Sequence, residues 1–264
     1  MNFDEYERNK RPDYKAFAEA MNTMLDATIK ADPAYRLQQI QRREKNPISL
    51  KAKLAKFGVS ESDKIEDEVK DLAACRVIFY TNADVKRFLS SDILRINFTI
   101  DWDRTKVHHP VPGTESEGRL FVSDNIVVQL NEQRAAAPEY AKFCAMRCEI
   151  QVQTTLNHAW SEMEHDVYKI KPAAGFGKDL LGGIHTRFNK VMREMLIPAG
   201  YEFQKIVDDY NRLASGRELF DKGALKVLAD CKDNNERHEL LERFKTYVLP
   251  HLDDVAGAHA EIRG

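Results

Sequence analysis

The sequence predicts an α+β fold: a β-sheet flanked by helices, followed by an all-helical C-terminal extension. Three observations carry that reading. Segments 74–80, 95–102, 119–130 and 148–153 alternate apolar and polar residues with period two, as strands with one buried face do. Amphipathic stretches of helical period lie between and around them. After Lys171 no strand candidate remains, and 178–213, 217–230 and 234–249 all read as helix. The expected organisation is therefore an N-terminal helical segment (1–34), a core (35–171) and a helical extension (172–264).

Taken in order, the first helix follows Pro12, with Tyr14, Phe17, Ala20, Met21, Met24 and Leu25 as its apolar stripe. Pro33 interrupts. A second helix is expected from about Tyr35, carrying Leu37, Ile40 and a basic run to Lys45, until Asn46-Pro47 breaks it. Ser49 is then placed to cap a short helix that Gly58 ends, and Ser60 to open another with an acidic first turn. Strand 74–80 puts Arg76, Ile78 and Tyr80 on one face and Cys75, Val77 and Phe79 on the other. A helix follows over 83–91, then strand 95–102. Residues 108–118, with two prolines and two glycines, predict an exposed loop. Strand 119–130 is expected to bend at Ser123-Asp124-Asn125, and 138–143 to form a short helix. PAAGFGK after Lys171 reads as a linker, and Pro198-Ala-Gly200 as a kink or split in the long helix beyond it.

A chain of 264 residues, 43% hydrophobic and 31% charged, has the composition of a globular protein. Its net charge of −2 excludes strong non-specific attraction to nucleic acid. The charge is unevenly spread. Residues 33–57 hold seven Lys/Arg against one acid, and 60–71 hold six acids against two lysines. A basic cluster of that kind holds a polyphosphate, although such a run also serves as a plain solvated helix face. The cysteines, Cys75, Cys144, Cys148 and Cys231, form no CxxC pair, and no apolar run reaches membrane-spanning length. With a charged N-terminus, these features predict a reduced, cytoplasmic protein with no membrane partner.

Residues 146–171 are the candidate active site. From Cys148 to Gln153 the period is two, with Cys148, Ile150 and Val152 on one face and Glu149, Gln151 and Gln153 on the other. From Thr154 the period becomes helical. Leu156, Ala159, Trp160, Met163, Val167 and Ile170 form an apolar stripe, opposite His158, Glu162, His165 and Lys169. Glu149 on a strand and Asp71 just before another are two carboxylates that a sheet can bring to one edge, where they hold Mg²⁺ together with substrate phosphates. The basic residues at 42–56 and Arg76 supply cations for those phosphates. Carboxylates, a metal and a basic groove are the parts of phosphoryl or nucleotidyl transfer. No Walker-type or GxGxxG loop is present. The stripe His158, Glu162, His165 admits a second reading as zinc or iron ligands, without the HExxH spacing.

These residues resemble a known family. Glu149-Ile-Gln-Val-Gln-Thr154, then His158-Ala-Trp160-Ser-Glu162-Met-Glu164-His165 and Tyr168-Lys169, are similar to the ExQxRT…HxW(A/S)ExxH…YK signature of the RelA/SpoT synthetase domain. Three shorter matches precede it in the family's order. Arg43-x-Lys45-x3-Ser49-x3-Lys53 resembles the phosphate segment, Asp71-Leu-Ala-Ala-Cys-Arg76 resembles DLxGxR, and Phe121-Val-Ser123-Asp-Asn125 resembles YxSxH. The resemblance covers roughly residues 35–170. It implies a mixed, mostly antiparallel, nucleotidyltransferase-like sheet flanked by helices, of the small single-domain type. It also implies transfer of the β,γ-pyrophosphate of ATP to the 3′-hydroxyl of GDP or GTP, with AMP released. By resemblance, Asp71 and Glu149 would be catalytic and hold Mg²⁺. Arg43, Lys45, Ser49, Lys53 and Arg76 would bind ATP. Phe121, Ser123, Asn125, Gln151, Gln153 and His158 would bind the acceptor.

The sequence departs from the family pattern at Ala74, Phe121, Asn125 and Gln153, three of the four on the acceptor side. Gln153 stands where the signature has arginine, and a neutral amide does not replace an arginine–phosphate contact. Alternatives implied by the same resemblance are a toxic relative acting on the 3′ end of tRNA or on an adenosine nucleotide and neutralised by an antitoxin partner, or a catalytically silent nucleotide sensor. Oligomerisation through helices is compatible with each.

Overall fold

The computed structural model describes residues 1–108, 122–169, 178–214 and 229–247. It divides into two units, Met1–Gly200 and Tyr201–Gly264. The first is built on one five-stranded sheet. Its strands are β1 (Leu37–Glu44), β2 (Ala73–Phe79), β3 (Phe98–His108), β4 (Ser123–Leu130) and β5 (Cys148–Thr154), in the order β1-β2-β5-β4-β3. Only the central β2–β5 pair is parallel; the others are antiparallel. The sheet is thus mixed and mostly antiparallel, as expected, with one strand more than the sequence suggested.

That additional strand is the main correction. Residues 37–44, read as helix, form the edge strand β1. Leu37 and Ile40 are three apart, which fits a helix, and few apolar residues accompany them to show a period of two. Pairing with β2 decides: Ile40 lies opposite Val77, Gln41 opposite Arg76, and Arg43 opposite Ala74. Ile40, Arg42 and Glu44 then turn to the helix behind, and Gln41 and Arg43 to the open face.

One side of the sheet is the core. Cys75, Val77 and Phe79 of β2, Ile126 and Val128 of β4, and Cys148, Ile150 and Val152 of β5 are buried against α1 (Arg11–Lys30). Helix α1 contributes Tyr14, Phe17, Met21, Met24, Leu25 and Ile29, close to the stripe read from sequence. Each such large apolar side chain contributes about 1.5–3 kcal/mol when fully buried. Residues 1–34 thus share a core with the sheet.

Helix α2 (Pro47–Phe57) corrects a cap. Asn46, not Ser49, is its N-cap, its side-chain oxygen accepting from Ile48 and Ser49 N–H at 2.9 and 3.4 Å. Gly58 ends the helix as expected, at φ 71°, where a β-carbon is disfavoured. The acidic helix expected from Ser60 is reduced to one turn, Ile65–Glu68. Helix α3 (Asn82–Ser90) is as read, capped by Thr81. Residues 93–97 form a short helix, so β3 starts three residues later than expected. The irregularity expected in β4 lies instead in β3, where pairing with β4 shifts between Asp101 and Lys106. Residues 141–143 form a 3-10 turn and Glu132–Ala135 an unforeseen helical one. The expected loop at 108–118 and linker at 172–178 lie almost wholly outside the described residues.

Helix α4 (Thr155–Lys169) follows β5 directly. Its buried side is Asn157, Trp160, Ser161 and Glu164. Of the expected apolar stripe, Trp160 is buried but Ala159 is exposed and Met163 is 63% exposed. With Ile184 and Phe188 of α5 (Lys178–Val191), they border an open apolar cavity of about 410 Å³. A π-helical turn at Met192–Leu196 leads into α6 (Ile197–Ala214), so the long helix is interrupted just before Pro198 and not at Pro198-Ala-Gly200 itself. The wide turn lies one turn before Pro198, where the missing proline N–H would otherwise interrupt the helical ladder. The second unit contains residues 201–214 and α7 (Asn234–Tyr247). Among the described residues no helix is long and apolar enough to cross a membrane.

Candidate active site

The open face of the sheet orders the polar residues into cross-strand rows. One row runs Gln41, Arg76, Gln151, Asn125, Lys106, across β1, β2, β5, β4 and β3. The row before it runs Arg43, Ala74, Glu149, Val127, Asp101. Period-two alternation on all five strands puts these side chains on the face opposite the core.

Asp71, two residues before β2, is 5% exposed and sits among three cations. The Lys45 ammonium donates to Oδ2 in a short contact, Lys53 Nζ donates to Oδ1 at 2.8 Å, and Arg43 Nη2 donates to Oδ2 at 3.5 Å. Burial alone would raise the carboxyl pKa. The two lysines overcome it and hold Asp71 at about 2. Lys45 is pushed below the usual lysine range by its own burial, which Asp71 partly offsets. The cluster gathers Arg43 and Lys45 from the β1 end, Lys53 from α2 and Asp71 from the β2 entry. Ser49 lies exposed in the first turn of α2.

A polar chain crosses the neighbouring row. Arg76 donates to Glu162 at 2.6 Å and, through Nε, to Gln151 Oε1 at 3.2 Å. With its oxygen so engaged, Gln151 must turn its NH₂ to Glu149, to which it donates at 2.8 Å. Arg76 Nη1 also lies 3.3 Å from His158 Nδ1, and the Gln41 amide 3.5 Å from His158 Nε2. Burial first, and then the Arg76 guanidinium, lower the His158 pKa and so favour its neutral form, one tautomer of which accepts at Nδ1. Glu149 is half-buried beneath this chain.

Two expected residues are placed differently from an open acceptor wall. Ser123 is buried, its hydroxyl donating to Asn125 Oδ1 at 2.7 Å, which leaves the Asn125 NH₂ as that amide's outward group. Gln153 is 1% exposed, and neither amide atom has a hydrogen-bond partner among the described residues. It lies at the end of β5, opposite Ile78, where α4 packs back on the sheet. Phe121 lies outside the described residues.

Two sequence readings narrow. His165 is largely exposed beside Asp166, away from the Arg76 chain, and among the described residues no group of three or more His, Cys, Asp or Glu could hold a metal. A zinc or iron cage on the His158–Glu162–His165 stripe is therefore absent from the described residues. The Asp71 and Glu149 carboxylates remain hard oxygen donors suited to Mg²⁺, which takes one or two carboxylates and completes its shell with substrate phosphates and water. The sequence reading missed Gln41, because its segment was read as helix, and Lys70 and Lys106. The Lys70 ammonium donates to the Arg104 carbonyl at 2.5 Å. Burial lowers its pKa first, then Lys106, while Glu149 opposes the shift.

Residues 42–172 match the model of a region found in RelA and SpoT proteins. The chain carries a RelA/SpoT-type domain. The RelA/SpoT match begins within β1 and runs past the end of α4, and so includes every residue of the two cross-strand rows except Gln41. Among solved structures, small alarmone synthetase 1 from Bacillus subtilis superimposes with a TM-score of 0.59 at 18% identity, over 79% of this chain and 99% of that one. The same enzyme bound to its product pppGpp gives 0.58 at 19% identity, over 79% and 99%. A GTP pyrophosphokinase family protein from Streptococcus pneumoniae gives 0.56 at 19%, over 79% and 94%. These likenesses establish the fold. No curated protein matches the sequence.

Proposed function

We propose that the RelA/SpoT-type domain of this chain is a pyrophosphokinase, transferring the β,γ-pyrophosphate of ATP to the 3′-hydroxyl of GDP or GTP. The observation that carries the reading is the Asp71 cluster, three cations held by one buried carboxylate, with Arg43 in the same cross-strand row as Glu149. Arg43, Lys45 and Lys53 would pass from Asp71 to the donor's phosphates, an exchange of one anion for another that leaves no cation buried alone. Arg76, its guanidinium plane fixed by Glu162 and Gln151, would pack on the adenine. Asp71 and Glu149 would then hold Mg²⁺, which supplies charge neutralisation on the phosphate oxygens.

Glu149 accepts the proton of the attacking hydroxyl. A bond forms from that oxygen to the β-phosphorus of ATP, the bond from the β-phosphorus to the oxygen bridging it to the α-phosphorus breaks, and AMP leaves. Gln151 holds Glu149 Oε2 by one N–H and leaves Oε1 for the substrate. Asn125 and Ser123 would orient the acceptor from β4, with Phe121 stacking on its base.

One observation favours a second acceptor. Gln153 is neutral and buried, so no cation from that position reaches an acceptor phosphate. An adenosine nucleotide or the 3′ end of tRNA is the acceptor this alternative names. ATP labelled in its γ-phosphate, incubated with GDP, GTP, ATP and bulk tRNA, distinguishes them. The expected result is label on the guanosine nucleotide with stoichiometric AMP, abolished by Glu149→Gln. Label only on tRNA or adenosine nucleotide would replace the acceptor, and binding of ATP without AMP release from any mixture would leave a nucleotide sensor.

A further inference from the structure

The residue that delivers the Lys45 ammonium is held from outside the RelA/SpoT match. Lys45 follows the last residue of β1, and its backbone is tied on both sides. Its N–H donates to the Leu72 carbonyl at 2.9 Å, next to Asp71. Its own carbonyl accepts from the Tyr6 hydroxyl at 2.6 Å. Tyr6 is wholly buried in the main core, with its ring centroid 5.6 Å from that of Tyr14. It starts the π-helical turn Tyr6–Lys10 that leads into α1. From the first turn of α1, Arg11 donates to Glu44 Oε1 through Nε at 3.2 Å and Nη2 at 2.8 Å. Two consecutive residues, Glu44 and Lys45, are thus gripped by a segment that supplies no group to the site itself.

A phenylalanine would fill the same core space at position 6. A hydroxyl in that position is costly to bury unless it is bonded, and the bond it makes is to the Lys45 carbonyl. That carbonyl belongs to the peptide leading into Asn46, the N-cap of α2, which carries Lys53. One hydrogen bond therefore bears on both lysines that hold Asp71. A lysine ammonium rides on four rotatable bonds, so its placement depends first on where its backbone is fixed.

We propose that Tyr6 is a positioning residue for the phosphate-binding cations, fixing the Lys45–Asn46 peptide so that Lys45 and Lys53 converge on one anion. The anion is Asp71 in the free protein and, on the reading above, the polyphosphate of ATP in the complex. The N-terminal segment is then part of the site's frame.

The test uses the full chain with Tyr6→Phe, Lys45→Met and the double variant. Two readouts separate this idea from the pyrophosphokinase reading on which it rests. The first is the NMR order parameter of the Lys45 side-chain ammonium, which needs no nucleotide. In the parent the ammonium is held on Asp71, and in Tyr6→Phe its order parameter falls. The second is ATP affinity by calorimetry. Tyr6→Phe weakens it about tenfold, the scale of one lost hydrogen bond, and the loss shrinks to about threefold, the part carried by Lys53, in the Lys45→Met background. An unchanged Lys45 order parameter with unchanged ATP affinity, accompanied only by a lower Tm, would make Tyr6 a plain core residue. An equal loss of affinity with and without Lys45 would show that Tyr6 does not act through it. A parent that binds no ATP sinks the substrate reading, while the Lys45 order parameter still decides the brace.

Discussion

The donor and acceptor halves of the site share one sheet face but are built on opposite principles. Around Asp71 every group has a partner: three cations share one carboxylate, and the backbone beneath them is bonded on both sides. Around Gln153 a buried amide has neither donor nor acceptor satisfied among the described residues. The first half is pre-assembled for an anion that will displace Asp71. The second carries a local cost of the kind that persists where a site was shaped for something other than packing. The lesson is that a charge cluster can be complete in the free protein and still be a binding site, because its internal counter-ion stands in for the ligand.

Substitutions can break or sharpen this contrast. Glu149→Gln keeps the shape and the Gln151 contact but removes the base. It is expected to lower transfer about a thousandfold, within the range of general-base loss, with ATP affinity retained; radiolabel transfer and calorimetry measure the two. Asp71→Asn leaves Lys45 buried without its counter-ion and is expected to cost about 3 kcal/mol in denaturant unfolding. The parent's acid response has a definite sign. The folded pKa of Asp71, about 2, lies below the ordinary 3.8, so its contribution is fully present above pH 4 and is lost as pH falls toward 2. The stability difference between parent and Asp71→Asn should therefore narrow across that window, and a constant gap would remove the cluster as its cause.

On the acceptor side the expected effects are smaller and one has the opposite sign. Gln153→Met keeps the volume and deletes both unpaired polar groups, so it should stabilise the protein by about 1–2 kcal/mol, read as a higher urea midpoint. Destabilisation would mean that the amide has partners among residues not described. Ser123→Ala removes the donor that holds Asn125 and is expected to cost under about 1 kcal/mol in stability. It should raise the KM for the acceptor more than that for ATP.

Legibility in the sequence followed how local each feature is. Strands β2 and β5 alternate cleanly because one face of each is core, so Arg76, Glu149 and Gln151 were placed on the open face from spacing alone. Strand β1 could not be read this way. It is an edge strand with few apolar residues on either face, and its strand character comes from hydrogen bonds to β2, more than thirty residues away. Helix α4 was recognised but rotated. Its polar Asn157, Ser161 and Glu164 are buried, while Met163 is exposed.

The sequence by itself determined the fold class, the RelA/SpoT resemblance, and the residue types that meet at the site: two carboxylates, a basic run and a polar strand face. Only the tertiary structure decided how they meet. It closed Lys45, Lys53 and Arg43 on Asp71, ran Arg76 through Gln151 to Glu149, buried Gln153, and brought Tyr6 beneath Lys45. Local periodicity fixes which face a side chain leaves from. Which charge it meets depends on strand order and register, and those are set by pairing and burial across the whole chain.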